Sequence, residues 1–190
     1  MWGFAKDFGL SGLRTGFLVS RWPGVARLMH GDPPARRTSQ AWFSPYDSLK
    51  HRYTTAILDA EGSGFWDRAM TAYRQRLTDS FTAVAKVLDH HRVPYVHPLG
   101  GNSAQFFWLD LRQYLNGPFT EEPDVLFTGT GAEAALAQAI LKHTGVKLLT
   151  GTTLSCPREG YYRLCFTAAD RRTVVDAVDR MCHYLNRADH

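Results

Sequence analysis

No run of apolar residues approaches the roughly 20 needed to cross a bilayer, so no membrane-spanning helix is expected. Cysteine is scarce: Cys156, Cys165 and Cys182 are the only three, and none stands in a Cys-x-x-Cys spacing. An odd number of thiols in a chain this long argues against a disulfide framework and fits a reducing, cytoplasmic setting. Basic blocks are missing as well. Arg36-Arg37 and Arg171-Arg172 are isolated pairs, and 22 lysines and arginines are scattered among 18 acidic residues. The resulting net charge of +4 reads as a solvated face, and no nucleic-acid partner is expected. His90, His91 and His97 share no metal-ligand spacing with cysteines or carboxylates, so no metal is expected either. Internal repeats and low-complexity tracts are absent. No secretory leader is expected either: Met1-Trp2-Gly3-Phe4-Ala5-Lys6-Asp7 passes directly into a glycine-punctuated loop, as if a domain were already under way.

What is present is the composition of a globular chain, 44% hydrophobic and 21% charged. Leu13 to Ser20 ends in an apolar run bounded by glycine and by Trp22-Pro23-Gly24, which predicts a buried strand. A short helix is expected from Pro23 to about His30, ended by Asp32-Pro33-Pro34. Ser44-Pro45 predicts a helix start, running to about Ala60. Trp66, Met70, Tyr73, Leu77, Phe81, Val84 and Leu88 recur at steps of four or three, one continuous apolar stripe on a long helix ending near His90-His91-Arg92. Gln105 to Leu111 reads as an aromatic strand, and Tyr114 to Gly131 as loop.

Thr130-Gly131-Ala132-Glu133 has the spacing of a capping box opening a helix that reaches His143 and stops at Gly145. Val146 to Leu149 and Tyr161 to Thr167 are expected strands, the second with Tyr162, Leu164 and Phe166 on one face and Tyr161, Arg163 and Cys165 on the other. Val174, Val178, Met181 and Leu185 mark a last amphipathic helix. This order of elements implies α/β or α+β layering, with the long helix joining two lobes.

The segment Lys6-Asp7-Phe8-Gly9-Leu10-Ser11-Gly12-Leu13-Arg14-Thr15-Gly16 resembles the lysine segment of class I/II aminotransferases, within them most of all the 1-aminocyclopropane-1-carboxylate synthase branch. Far downstream, Glu159-Gly160-Tyr161-Tyr162-Arg163-Leu164-Cys165-Phe166 resembles the same family's C-terminal strand, and Gly101-Asn102-Ser103-Ala104-Gln105-Phe106-Phe107-Trp108-Leu109 fits its aromatic strand. The resemblance implies an α/β chain with a partial type I aminotransferase fold: residues 1–63 as the C-terminal part of the cofactor-binding large domain, 64–93 as the connecting helix and 94–190 as the small α+β domain. It implies pyridoxal 5'-phosphate as cofactor, Lys6 as its Schiff-base lysine, Arg14 at its phosphate and Arg163 at the substrate α-carboxylate. An amino-acid substrate and a homodimer are implied with these.

The chemistry suits those residue types. A lysine amine can hold the cofactor covalently and, once displaced by the substrate amine, move the α-proton, provided that burial and nearby cations keep it neutral. A dianionic phosphate and a carboxylate are each best gripped by a planar guanidinium. Apart from the resemblance, Lys6 in a glycine-rich loop, Arg14 near a strand start and Arg163 in a sheet-surface ion pair all have ordinary structural readings. Phe106, Phe107 and Trp108 read as core.

The sequence also departs from the family pattern. Gly3 stands where a phosphate-binding serine is usual, Ala5 directly precedes the lysine, Thr150-Gly151-Thr152 replaces Pro-Gly-Ser, and Ala104 replaces a glycine. The family's pyridine-pairing aspartate, stacking aromatic ring, phenol-binding asparagine and phosphate loop all precede its lysine and are expected to be missing. The functional expectation is an aminotransferase-like enzyme acting on an amino acid in biosynthesis or specialised metabolism, without its N-terminal half. The alternatives are a non-catalytic remnant or partner subunit, a truncated copy of a longer chain, or an elimination-type lyase of the 1-aminocyclopropane-1-carboxylate synthase-like branch.

Overall fold

The computed structural model describes residues 2–3, 16–17, 20–22, 24, 48–59, 64–96, 104–117 and 131–188. The chain divides into two compact units, Met1–Ala72 and Tyr73–His190. In the first, strand β1 (Trp2–Gly3) pairs antiparallel with β2 (Gly16–Phe17), in the register Trp2 to Phe17 and Gly3 to Gly16. Helix α1 (Ser48–Asp59) follows. The strand expected at Leu13 to Ser20 is thus seen at Gly16–Phe17, and most of the helix expected after Pro23 lies outside the described residues.

The stripe from Trp66 to Leu88 becomes helix α2 (Phe65–His90), whose first turns belong to the first unit and whose remainder belongs to the second. Burial follows the expected periodicity. Trp66, Met70, Tyr73, Leu77 and Phe81 are half-buried, and Val84 and Leu88 are fully buried. The helix ends in a Schellman arrangement: the Val93 N–H reaches the Leu88 carbonyl at 2.9 Å and the Arg92 N–H reaches Asp89 at 3.1 Å. Arg92 occupies the left-handed position with φ 58°, where glycine is usual.

The second unit is built on a three-stranded antiparallel sheet, β3 (Phe106–Asp110), β5 (Tyr161–Cys165) and β4 (Leu149–Thr150), with β5 in the middle. The chain around Tyr95 lies along the outer edge of β3, with Val96 N–H to Trp108 and Asp110 N–H to Pro94. Strand β4 is displaced from the expected Val146 to Leu149, because Val146 and Leu148 are buried in the core without a strand partner.

Alternation in β3 and β5 sorts the sheet into two faces. Phe107, Leu109, Tyr162 and Leu164 are buried, and their neighbours are half-buried. The buried face joins α2, α3 (Ala132–Thr144) and α4 (Arg171–Ala188) in one core that includes Val84, Leu88, Leu136, Ile140, Met181 and Leu185. Phe81 stacks on Phe107 at 4.6 Å, and Phe166 meets both rings edge-on. Each such side chain stabilises the fold by about 1.5 to 3 kcal/mol through removal from water.

Local signals set the ends of the helices. Gly145 closes α3 with φ 74° and donates its N–H to Leu141, as the expected glycine stop requires. Asp170 caps α4 by accepting the Thr173 N–H at 3.1 Å and the Thr173 hydroxyl, which holds its carboxyl below the usual range. The capping box at α3 is not formed. Gly131 is the N-cap, no side chain caps it, and the Glu133 carboxylate turns elsewhere. No helix among the described residues is long and apolar enough to cross a membrane.

Candidate active site

The buried carboxylate of Glu133 organises the region where α3, the turn after β4 and the start of β5 meet. One oxygen accepts the Gly160 N–H at 3.0 Å, and the other accepts the N–H and hydroxyl of Thr152 at 3.2 and 2.5 Å. Its main-chain carbonyl accepts the Tyr162 hydroxyl at 2.8 Å, and burial pushes that phenol well above its ordinary pKa. The residue is only 3% exposed, and these donors compensate for its removal from water. The Thr150-Gly151-Thr152 variation therefore has a structural role. Thr152 satisfies Glu133, Thr150 and Thr153 share a hydroxyl contact at 2.7 Å, and the Gly151 N–H reaches the Tyr161 carbonyl.

Gly160, with φ 89°, then lets the chain turn into β5 against Arg112 and accept the Leu111 N–H at 2.8 Å. Three residues on, Arg163 sits in the middle of the central strand, opposite Trp108 on one side and Leu149 on the other. Facing residues share a side of the pleat, so Phe106, Trp108, Asp110, Tyr161, Arg163, Cys165 and Leu149 form the half-buried face. Trp108 and Tyr161 are stacked across the ladder.

Two guanidinium groups lie on aromatic rings of this face, and their charges are used differently. Arg112 lies over Tyr161 at 5.1 Å and binds Asp110 through two hydrogen bonds of 2.8 and 2.7 Å. That pairing lowers the Asp110 pKa and raises that of Arg112. Arg163 lies over Phe106 at 4.5 Å, and among the described residues no carboxylate pairs with it. The ordinary reading of a sheet-surface ion pair thus finds no partner there. A planar cation held over a ring, on a strand anchored at its start, can take a carboxylate through two parallel N–H bonds.

Lys6 and Arg14 fall outside the described residues, as do Ala5 and Asp7. The ladder joining Gly3 to Gly16 brackets the segment that carries both. An amine and a guanidinium in one short segment are the donors that an aldehyde and a phosphate require, so the donor chemistry fits pyridoxal phosphate. Sequence reading missed Glu133 because its partners lie 19 and 27 residues away. The available signal was one acidic residue on an otherwise apolar Ala/Leu-rich stretch.

The family model for aminotransferase class I and II matches residues 1–181. 1-Aminocyclopropane-1-carboxylate synthase 4 of Oryza sativa subsp. japonica is 28% identical over 186 residues, covering 98% of this chain and 34% of that protein. 1-Aminocyclopropane-1-carboxylate synthase-like protein 1 of Takifugu rubripes is 31% identical over 180 residues, covering 90% of this chain and 24% of that one. The chain thus spans about a third or less of the length of these curated relatives. Among solved structures, the aromatic aminotransferase from Pyrococcus horikoshii OT3 superposes with a TM-score of 0.69 at 19% identity, over 97% of this chain and 42% of that one. At this identity the likeness speaks for the fold, and the α/β architecture is that of part of a type I aminotransferase.

Proposed function

The chain belongs to the class I and II aminotransferases, a pyridoxal-phosphate-dependent family, and from that premise we propose that it provides the cofactor lysine and the carboxylate-binding arginine of an enzyme that transaminates an amino acid in biosynthesis or specialised metabolism. Arg163 carries the reading: a guanidinium on a ring, with no carboxylate partner among the described residues, on the strand that matches the family's C-terminal motif.

Bound pyridoxal phosphate supplies an electron sink for the charge left when a bond at the substrate α-carbon breaks. Lys6 would hold the cofactor covalently and carry the α-proton once its amine is free. Arg14 would neutralise the phosphate, and its charge would help keep the Lys6 amine unprotonated. Arg163 would fix the substrate carboxylate and thereby orient the α-carbon. In this reading residues 1–63 belong to the large domain, 64–93 form the connecting helix and 94–190 form the small domain. The whole enzyme would be a cytoplasmic homodimer. A second reading, elimination from an amino acid, is favoured by the names of the synthase relatives. A 2-keto acid product marks the first reading, and loss of a γ-substituent marks the second.

The test is to incubate the purified 190-residue chain with pyridoxal phosphate, reduce it with borohydride and map the peptides. The expected adduct lies on Lys6 and disappears in Lys6→Ala. Arg163→Ala should keep the adduct and weaken amino-acid binding by about 2 to 3 kcal/mol, roughly 30- to 150-fold. Folded chain without an adduct would leave the non-catalytic remnant as the better account.

A further inference from the structure

The C-terminal end of α2 and the third and fourth turns of α4 bring together three side chains with metal-binding donors. The His91 Nε2 lies 2.8 Å from one Asp179 oxygen, and the His183 Nε2 lies 3.6 Å from the other. One ligand atom from each residue falls within 4.8 Å of the other two. We propose that His91, Asp179 and His183 form a binding site for a divalent transition-metal ion of the zinc type, with a fourth position left to water.

The positions are held by the fold. Asp179 and His183 are four residues apart on α4, hence on one face one turn apart. His91 is the residue at which the Schellman turn ends α2, and its carbonyl accepts the Asn186 side-chain amide at 3.3 Å. That bond ties α4 to the end of α2 at a second point, and Tyr114, in the turn after β3, donates to the same Asn186 at 3.4 Å. The His91 side chain is 7% exposed, while Asp179 and His183 are open to solvent, so an ion can enter from one side.

The donor set selects the ion. Two imidazoles and one carboxylate suit zinc, cobalt, nickel or copper and disfavour calcium and magnesium, which take oxygen ligands. Bonds of about 2.0 to 2.1 Å in a tetrahedral arrangement place neighbouring donors roughly 3.4 Å apart. The observed spacings lie on both sides of that value, so shifts of about an ångström in exposed side chains would complete the geometry. In this arrangement an ion would clamp α4 to the end of α2. The sequence alone hides the site, because His91 lies 88 residues from Asp179.

The test uses the full chain with zinc chloride, followed by calorimetric titration, and with cobalt chloride, followed by visible absorption. One saturable equivalent of zinc and a tetrahedral cobalt spectrum are expected. His183→Ala removes an exposed side chain and should weaken zinc binding at least tenfold, and Asp179→Asn should do the same. His143→Ala, a histidine stacked on Tyr184 outside the cluster, should leave binding unchanged. Non-saturable zinc binding, or equal affinity in wild type and His183→Ala, would overturn the proposal and leave His91 and Asp179 as an ordinary ion pair.

Discussion

The Glu133 carboxylate accepts the Gly160 N–H at 3.0 Å, linking the first turn of α3 to the residue from which the arginine strand departs. Because the same side chain also serves both donors of Thr152, its loss would leave the buried Gly160 N–H without an acceptor and release the exposed Thr152 donors to water. Glu133→Ala is expected to destabilise the second unit by about 3 kcal/mol. Glu133→Gln keeps an acceptor but turns an amide N–H toward a donor, and should cost about 1 to 2 kcal/mol. Urea unfolding followed by hydrogen exchange at Gly160 and Thr152 checks both. Unchanged protection at Gly160 in Glu133→Ala would contradict the anchoring role.

Gly160 supports a second prediction, on steric grounds. A Cβ at this position would lie 2.6 Å from Arg112 Cγ and 3.0 Å from both Arg112 Cα and Leu115 Cδ1. The backbone is also in the left-handed region, with φ 89°. Gly160→Ala combines roughly 1 to 2 kcal/mol of backbone strain with a packing clash of similar size, about 3 kcal/mol in all. Displacing Arg112 would break its two bonds to Asp110, so the two substitutions Gly160→Ala and Asp110→Asn should be less than additive in unfolding free energy. Strict additivity would show that Arg112 does not transmit the clash.

Elements governed by periodicity were legible in the sequence. The second-unit part of the α2 stripe (Leu77, Phe81, Val84 and Leu88), the alternation in β5 and the apolar positions of α4 face the core as their spacing requires, because burial on one side imposes periods of 3.6 and 2. Where a local motif competed with a long-range partner, the partner won. Thr130-Gly131-Ala132-Glu133 has capping-box spacing, yet Glu133 serves Thr152 and Gly160, a choice set by tertiary contact. The strand expected at Val146 to Leu149 moved toward Thr150 for a related reason: pairing with β5 fixes the register. Of the candidate site, the Arg163 strand and its face were legible from alternation, whereas Lys6 and Arg14 rest on motif spacing alone.

Arg92 holds a left-handed conformation, φ 58°, at the position after the α2 C-cap where a glycine carries no Cβ penalty. Its N–H already bonds Asp89, so the turn itself needs only the backbone. Arg92→Gly should relieve strain on the order of 1 kcal/mol, partly offset by greater freedom in the unfolded chain. A rise in the urea midpoint of the second unit, with an unchanged dependence on denaturant, is the expected result. A fall would mean that the arginine side chain contributes more than its backbone costs.

Cys182 gives the last prediction, one of pH. It is fully buried, and burial, reinforced by the Asp179 carboxylate, pushes its thiol up to about 12. In the unfolded chain a thiol titrates near 8.5, well below this value. The folded state therefore binds the thiol proton more tightly. Its stabilising contribution is complete below about pH 8.5, and falls by up to about 1.4 kcal/mol per unit as the pH rises toward 12. Cys182→Ala should flatten this alkaline loss in urea unfolding at pH 8 to 10, even though it opens a small cavity. At pH 8 a chromogenic disulfide reagent should find the half-buried Cys156 and Cys165 in the native chain and reach Cys182 only at the rate at which the core opens. Rapid modification of Cys182 in native protein would show that the contact between α4 and the core is open to solvent on that timescale.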